Sequence, residues 1–450
     1  MNFARKIKVN VTQEQAQILD GQSKICNWLY NYLFDQVEED NKNGKPKKLL
    51  SGYNLRNMVP QSKEEYPFLK SVFSSPTKNV ALRLKEAYTD YFKGLVEHPH
   101  HRSWKKKWFS LLYEEPFKGY GIDKKTLTLS LGKDERNKQI CLKLELADTL
   151  TYREADRVVS LRITKDRKHY YAVFTLDRSD VVKEISQERW ISFDPNHKNL
   201  MVGIDNNGYS IEFERTDTMK YWDKRIDKLK SKRDKCKKKS VFVQKEEGKG
   251  RGYWKPSRKW ERYNNALEKA YACQREQNKQ EVYSLANVLV KHYDRIIIGD
   301  YAPSTETAKY NNQHRSMLNQ TYIGKIRNIF KWVAMRSGKV CSVVDEYHTT
   351  KECPFCGHME HKEPEIRVYT CPQCGTTYYR DIGSAINIAV RDKKLLRSDY
   401  LGWKVNRPEY TAHWNWRHCR WLISDFDVDE GNESDFSLKM SMHKFVHNNS

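Results

Sequence analysis

The chain has 450 residues and a formal charge of +23, from 81 Lys and Arg against 58 Asp and Glu, with a pI near 9.4. That length allows two or three domains with cores of ordinary size and excludes a peptide or a fibre, while the charge points to a polyanionic partner. No apolar run approaches the roughly 20 residues of a membrane helix, and MNFARKIKV lacks the apolar core of a signal peptide, so a soluble chain with no membrane partner is expected.

Residues 1–11 alternate as a strand through Phe3, Ile7, Val9 and Val11. Thr12 with Gln15 forms a capping-box signature, and the helix it opens carries Ile18, Ile25, Trp28, Leu29 and Leu33 as an apolar stripe. Ser75-Pro76 opens a second helix with Val80, Leu84, Ala87, Tyr88 and Tyr91. From about 105 to 180 the period changes to two, as at Leu127, Leu129 and Leu131 and from Leu161 to Leu176, with a hairpin turn at Asp166-Arg167-Lys168. The expectation is a small β-barrel over 1–11 and 105–187, with a helical module inserted over 12–104.

WISFDPNHKNLMVGIDNNGYSIEFE reads as three strands with turns at Pro195-Asn196 and Asn207-Gly208; Asp205 is a turn residue. A helical stretch over about 217–293 follows, broken by a basic loop with Gly248, Gly250, Gly252, Tyr253 and Trp254. Next come a strand (Arg295 to Asp300), a helix with Ile323, Ile326, Phe330 and Val333 ending at Gly338, and a strand from Val340 to Glu346. Three strands, helix, strand, helix, strand is the order of an RNase H-like core over 188–347. No repeats are evident, and the tail over 396–450, which mixes Trp-rich pieces with an acidic piece from Asp425 to Asp435, has no assigned function.

Cys353-Pro-Phe-Cys356 and Cys371-Pro-Gln-Cys374, each followed by glycine, supply four thiolates with the spacing of a structural zinc ribbon over 348–379. His358 and His361 read as surface residues beside a complete ligand set. The other cysteines, Cys26, Cys141, Cys236, Cys273, Cys341 and Cys419, are scattered and read as buried thiols in a reducing compartment.

Cleavage with two metal ions requires several carboxylates converging around cations about 3.5 to 4 Å apart. Asp194 closes the first strand of the core, Glu346 closes the last strand before the ribbon, and Asp381 follows the ribbon directly in TYYRDIGSAINIAVR. ISFDPNHKNL, EYHTTKECPFCGH with CPQCG, and RDIGSAINIA resemble the three RuvC segments and zinc finger of the TnpB family, an arrangement shared with Fanzor proteins and compact type V CRISPR effectors. The N-terminal strand, the inserted helices and SWKKKWFS also resemble that family's wedge and recognition modules. The resemblance spans nearly the whole chain, with its specific motifs between 190 and 391, and makes 380–395 the final RuvC segment.

The family's second acid ends the fourth strand, where this chain has Gly299 in IIIGDYAP. Some relatives carry that Glu on the next strand, and Glu346 in VVDEYHTT occupies the place. Paired strands lie only about 4.8 Å apart, and alternation puts Val340, Ser342, Val344 and Glu346 on one face, so Glu346 is preferred over Asp300. In the third segment Gly383, Ser384 and Ala385 stand where the family tends to show Asn and Ala; their small side chains let the last helix pack closely.

The resemblance implies an RNA-guided DNA endonuclease that takes a guide RNA and target DNA as partners. In it Asp194, Glu346 and Asp381 hold two Mg²⁺ ions, Cys353, Cys356, Cys371 and Cys374 hold Zn²⁺, and a monomer is favoured. A guided repressor without nuclease activity and an unguided transposase or nucleic-acid-binding protein are the alternatives. Lys228 to Lys239 reads equally as a solvated helix face or a basic patch, whereas Trp104 to Trp108 and Tyr253 to Lys259 join cations to aromatics suited to stacking on unpaired bases. The expected location is the cytoplasm of a bacterium or archaeon, near the nucleoid; in a eukaryote it is the nucleus, with the lysine run as an import signal.

Overall fold

The computed structural model describes residues 2–43, 48–103, 108–134, 136–152, 154, 156–178, 189–196, 198–244, 252–301, 322–363, 366–393, 395–425 and 434–436. The protein is a multi-domain α/β chain of two compact units, 1–181 and 182–450. Among the described residues no helix is long and apolar enough to cross a membrane.

In the first unit β1 (Asn2–Asn10) joins six later strands: β2 (Ser110–Tyr113), β3 (Tyr120–Asp123), β4 (Thr126–Lys133), β5 (Gln139–Leu146), β6 (Asp156–Asp166) and β7 (His169–Arg178). The order is β2-β6-β7-β1-β5-β4-β3, and β1 pairs with β7 from Asn2↔Asp177 to Val9↔Tyr170. The β6–β7 turn puts Arg167 at φ 57, where the expected hairpin lies. Thr12 caps α1 (Gln13–Lys42): its hydroxyl accepts the Gln15 N–H at 3.2 Å, and the Gln15 side-chain oxygen accepts the Thr12 N–H at 2.8 Å.

The buried line of α1 runs through Leu19, Cys26 and Leu33, spaced by seven, with Leu29 and Val37. Ile18, about 100° off that line, is 40% exposed, and Trp28 packs in a half-open aromatic group with Tyr32, Tyr66 and Phe68. These two residues of the expected stripe therefore lie outside the core. A helix not foreseen, α2 (Asn54–Glu65), contains Pro60 and buries Leu55 and Val59; its few apolar residues left no legible period. α3 (Ser74–Phe92) starts beside Ser75-Pro76 and buries Val80, Leu84 and Tyr88.

The second unit is built on an eight-stranded sheet. β8 (Trp190–Pro195), β9 (Met201–Asp205) and β10 (Ser210–Phe213) form an antiparallel meander, and β13 (Arg295–Gly299) and β14 (Val340–Val344) add in parallel beside β8. The parallel pair requires a crossover, supplied by α6 (Ile323–Arg336), after which Gly338 turns with φ 66. An insertion of α4 (Asp217–Lys237) and α5 (Arg258–His292) leaves the sheet and returns. Where a Gly-rich loop is expected, the strands β11 (Val241–Val243) and β12 (Tyr253–Lys255) pair as a hairpin; Gly248 and Gly250 lie outside the described residues.

The tail completes the sheet. β17 (Tyr410–Asn415) pairs in parallel with β10, followed by β18 (Arg420–Asp425) and β19 (Ser434–Asp435), giving the order β14-β13-β8-β9-β10-β17-β18-β19. One face of the sheet packs Phe193, Ile296 and Ile298 against α5 and α6. The other packs Val202 and Ile204 under α7 (Arg380–Lys393) through Ile382, Ala385 and Ile386. Both faces are covered, so β8 and β9 are buried along their whole length.

Candidate metal centre

Asp194 lies near the C-terminal end of β8, on the face covered by α7. Two residues earlier the Ser192 hydroxyl donates to the Ala385 carbonyl of that helix at 2.8 Å, and strand alternation gives Asp194 the same direction. Asp381 stands in the first turn of α7. Both acids are buried, at 5% and 2% exposed. Burial first, then the charges of Asp381 and Glu346, hold the Asp194 carboxyl well above the ordinary carboxylate range.

Glu346 lies two residues past β14. Ser342 and Val344 pair with Ile297 and Gly299, so continued alternation turns Glu346 toward the α7 face, beside Asp194. A Cβ placed on Gly299 would overlap the Glu346 carboxylate, so this acid fills the space that a side chain at 299 would occupy. Its Oε2 is buried without a hydrogen-bond partner among the described residues. Burial, then the neighbouring Asp300 charge, raises its carboxyl from 4.5 to about 7.

Asp300, exposed at the strand end, instead clasps the backbone: it accepts the Glu346 N–H at 3.1 Å while its own N–H donates to the Val344 carbonyl at 2.9 Å. Thr349 also grips Glu346, donating its N–H and hydroxyl to the Glu346 carbonyl at 3.0 and 2.9 Å. The Ser384 hydroxyl donates to that of Thr349 at 3.0 Å, and the Asn387 amide donates to the Thr349 carbonyl at 2.9 Å. The GSA sequence of α7 is thus part of the linkage: Ser384 ties Glu346 to the helix bearing Asp381, and a Cβ on Gly383 would strike the Tyr378 ring.

Four neighbours not foreseen as site residues complete the carboxylate site. Arg367, just before β15 (Val368–Thr370), forms an ion pair with Asp381 Oδ2. The Asn196 amide donates to the same oxygen at 3.2 Å, and Arg380 Nε approaches Oδ1 at 3.3 Å. Glu212 of β10 accepts the Tyr379 hydroxyl at 3.1 Å. Nothing in the local sequence marks Arg367, whereas Glu212 was reachable by carrying strand alternation across the meander. Asp205 is held in its turn by the N–H groups of Asn207 and Tyr209 at 2.9 and 3.0 Å.

The four ribbon cysteines converge more tightly. Cys353, Cys356, Cys371 and Cys374 form the group, among the described residues, whose ligand atoms lie within 4.8 Å of one another and could hold a metal ion; the carboxylates are not drawn together so closely. Gly357 and Gly375 have φ of 73° and 68°, which closes each knuckle with a bond to the Cys353 or Cys371 carbonyl, at 2.9 and 2.8 Å. His358 and His361 stand outside the group, near Glu360 and Glu363. The second knuckle sits between β15 and β16 (Thr377–Tyr379), and β16 runs directly into α7 and Asp381. Of the cysteines expected to be buried, Cys141 and Cys419 are exposed: Cys141 points outward from β5, and Cys419 lies in the β17–β18 turn.

On the insertion, α4 and α5 run antiparallel, with Lys230 over Tyr271 at 5.7 Å and Lys232 over Tyr263 at 6.0 Å. The β11–β12 hairpin at their far end exposes Val241, Phe242 and Trp254 by 65, 48 and 67%. In the first unit Trp108 is 46% exposed, and Trp104 to Lys107 lie outside the described residues.

Residues 324–388, from α6 through the ribbon into α7, match the Cas12f1-like TNB domain family. No curated protein matches the chain. Among solved structures, the Cas12f1–sgRNA–target DNA complex is similar over 83% of this chain and 81% of that one, with a TM-score of 0.58 and 13% identity. The fold is that of the Cas12f1 effector. CasPhi-2 (Cas12j) bound to crRNA aligns more loosely, over 87% of this chain and 98% of that one, with a TM-score of 0.35 and 11% identity. The AacC2c1–sgRNA complex gives 0.39 and 7% over 95% and 79%.

Proposed function

We propose that this chain is an RNA-guided DNA endonuclease that hydrolyses phosphodiesters at Asp194, Glu346 and Asp381. The observation that carries the reading is the seating of the Glu346 carboxylate in the gap left by Gly299, on the sheet face that bears Asp194 and beneath α7 with Asp381. A glycine at the family's usual second-acid position is what an acid arriving from the next strand requires.

The donor set suits a hard divalent cation: three carboxylates, one with a buried oxygen lacking a partner among the described residues, and mutual repulsion that a cation relieves. When bound, two Mg²⁺ ions would supply an activated water and neutralise charge at the leaving oxygen. Asp194, Glu346 and Asp381 would hold the ions, Thr349 and Ser384 would keep Glu346 facing Asp194, and α7 would keep bulk water from the apolar side. Zn²⁺ in the four-cysteine ribbon would fix the lead-in to α7.

The first unit, read as a wedge β-barrel (1–11, 105–187) with its helical recognition module (12–104), and the basic insertion would receive the guide RNA and the duplex flanking the target. The second unit would be the RuvC core. Pairing with the guide, rather than side chains, would read the DNA sequence. The test is purification of the chain with its RNA, sequencing of that RNA, and incubation with a matching DNA duplex and Mg²⁺. Cleavage by wild type and its loss in Glu346→Gln, with target binding retained, is the expected result. Target binding without cleavage by wild type would leave a guided repressor, and a purified chain that binds no RNA would leave an unguided nucleic-acid-binding protein.

A further inference from the structure

The tail returns to the edge of the sheet that bears the carboxylates. β9 runs antiparallel to β8 and to β10, and β17 runs parallel to β10, so β17 points the same way as β8, β13 and β14. Its C-terminal end and the β17–β18 turn therefore lie along the edge where Asp194 and Glu346 stand. The register carries the match across the sheet: Asp194 pairs with Val202, Val202 with Glu212, and Glu212 with Thr411 of β17. Alternation then sets His413 and Asn415 on the face that bears Asp194. Three strand spacings, and the rise from Thr411 to Trp416, put the turn roughly 20 Å from Asp194, on a hairpin that projects past the end of β10.

The three tryptophans of this hairpin are placed differently. Trp414 and Trp421 are 7% and 1% exposed, their ring centroids lie 5.9 Å apart, and the Trp421 indole donates to the Glu281 carbonyl of α5 at 3.0 Å. They anchor the hairpin to the core. Trp416, in the turn, is 64% exposed and stands outside that anchor. The turn itself is fixed: the Asn415 side-chain oxygen accepts the N–H groups of Arg417 and His418 at 3.1 Å each, and Cys419 has φ 49. The Arg417 guanidinium lies 5.5 Å from the centroid of the Trp416 ring. Arg417 and His418 are exposed, as is Lys198 in the β8–β9 turn on the same edge. An exposed indole among cations is a surface on which an unpaired base stacks, with the guanidinium adding cation–π attraction. Glu214, just past β10 on the same stretch, repels phosphate and so favours contact through the base.

We propose that Trp416 stacks on an unpaired base of the DNA strand that reaches Asp194, Glu346 and Asp381, a few nucleotides from the bond that is cut, and thereby fixes where along the strand the cut falls. The inference rests on the nuclease reading of those three acids. Trp416 binds the substrate away from the reacting phosphate and takes no part in the chemistry.

The test uses the full chain with its guide RNA and a matching DNA duplex that carries 2-aminopurine at single positions around the mapped cut. In Asp194→Asn protein, which keeps the DNA uncut, one position a few nucleotides from the cut should be quenched, and the quenching should vanish in Asp194→Asn/Trp416→Ala. With Asp194 intact, Trp416→Ala should slow single-turnover cleavage roughly tenfold, the worth of one base stack, and scatter the cut over neighbouring bonds. Target binding and melting temperature should stay unchanged. Trp416→Phe should keep most of the rate and the single cut, whereas Trp416→Leu, apolar but without a π face, should behave like Trp416→Ala. Wild-type rate, cut position and quenching in Trp416→Ala overturn the proposal, and so does a Trp416→Leu that performs as wild type. Quenching that depends on Trp416 only when 2-aminopurine sits in the guide RNA, or a dimer lost in Trp416→Ala, would give the turn to the guide or to a second copy and overturns it too. Wild type that binds its target and never cuts removes the nuclease reading, and this proposal with it.

Discussion

At the scale of single residues, Gly299 and Glu346 act as one unit. Gly299→Ala should displace the Glu346 carboxylate, since the added methyl and the acid claim the same space. A displacement near 1 Å at a reacting centre costs roughly 100-fold in rate, so guided cleavage should fall by about that factor with target binding unchanged. Asp300→Asn should fall far less, because its side-chain oxygen still accepts the Glu346 N–H. A pH effect follows from the same crowding. The Glu346 carboxyl is raised from 4.5 to about 7, so between these values the folded chain binds more protons than the unfolded one. The stability contributed is full below about 4.5 and is lost as pH rises toward about 7. Thermal melts of metal-free protein at pH 5 and pH 8 should show this loss in wild type, a smaller one in Glu346→Gln, and recovery at pH 8 on adding Mg²⁺.

At the scale of elements, the ribbon and the carboxylate site are mechanically joined, because β16 passes from the second knuckle into α7 within a few residues. Cys353→Ser or Cys374→Ser should release about one zinc per chain by metal analysis and loosen the start of α7, lowering cleavage although no carboxylate is touched. The ribbon was readable because ligand spacing is local: two CxxCG knuckles need no knowledge of the rest of the chain. Strand alternation was readable for the same reason, and it carried Glu346 to the correct face even though β14 ends at Val344. The α1 stripe was misread at Ile18 and Trp28, where several helical phases have apolar residues and only packing selects one. α2 stayed hidden because tertiary contacts through Leu55 and Val59, and no period of its own, hold a polar, proline-containing segment helical.

At the scale of the whole molecule, the excess of positive charge should make RNA binding fall steeply with salt. On the insertion the two components should separate. Replacing Lys238 and Lys239 by Ala should flatten the salt dependence, whereas Trp254→Ala should weaken binding by about 1 to 3 kcal/mol per lost stack and leave the slope unchanged, as read by filter binding over a salt series. The sequence by itself determined the strong positive charge, the four-cysteine cluster, the meander and crossover strands, and the shared facing of Asp194 and Glu346, because composition, knuckle spacing and two-residue alternation are properties of short stretches. Only the tertiary structure decided that Gly299 is the space Glu346 fills, that Arg367 and Arg380 close on Asp381, that Glu212 stands in the same row as Asp194, and that the unassigned tail extends the sheet beyond β10. Each of these joins segments far apart in the chain, and their meeting depends on strand order and register that no local pattern encodes.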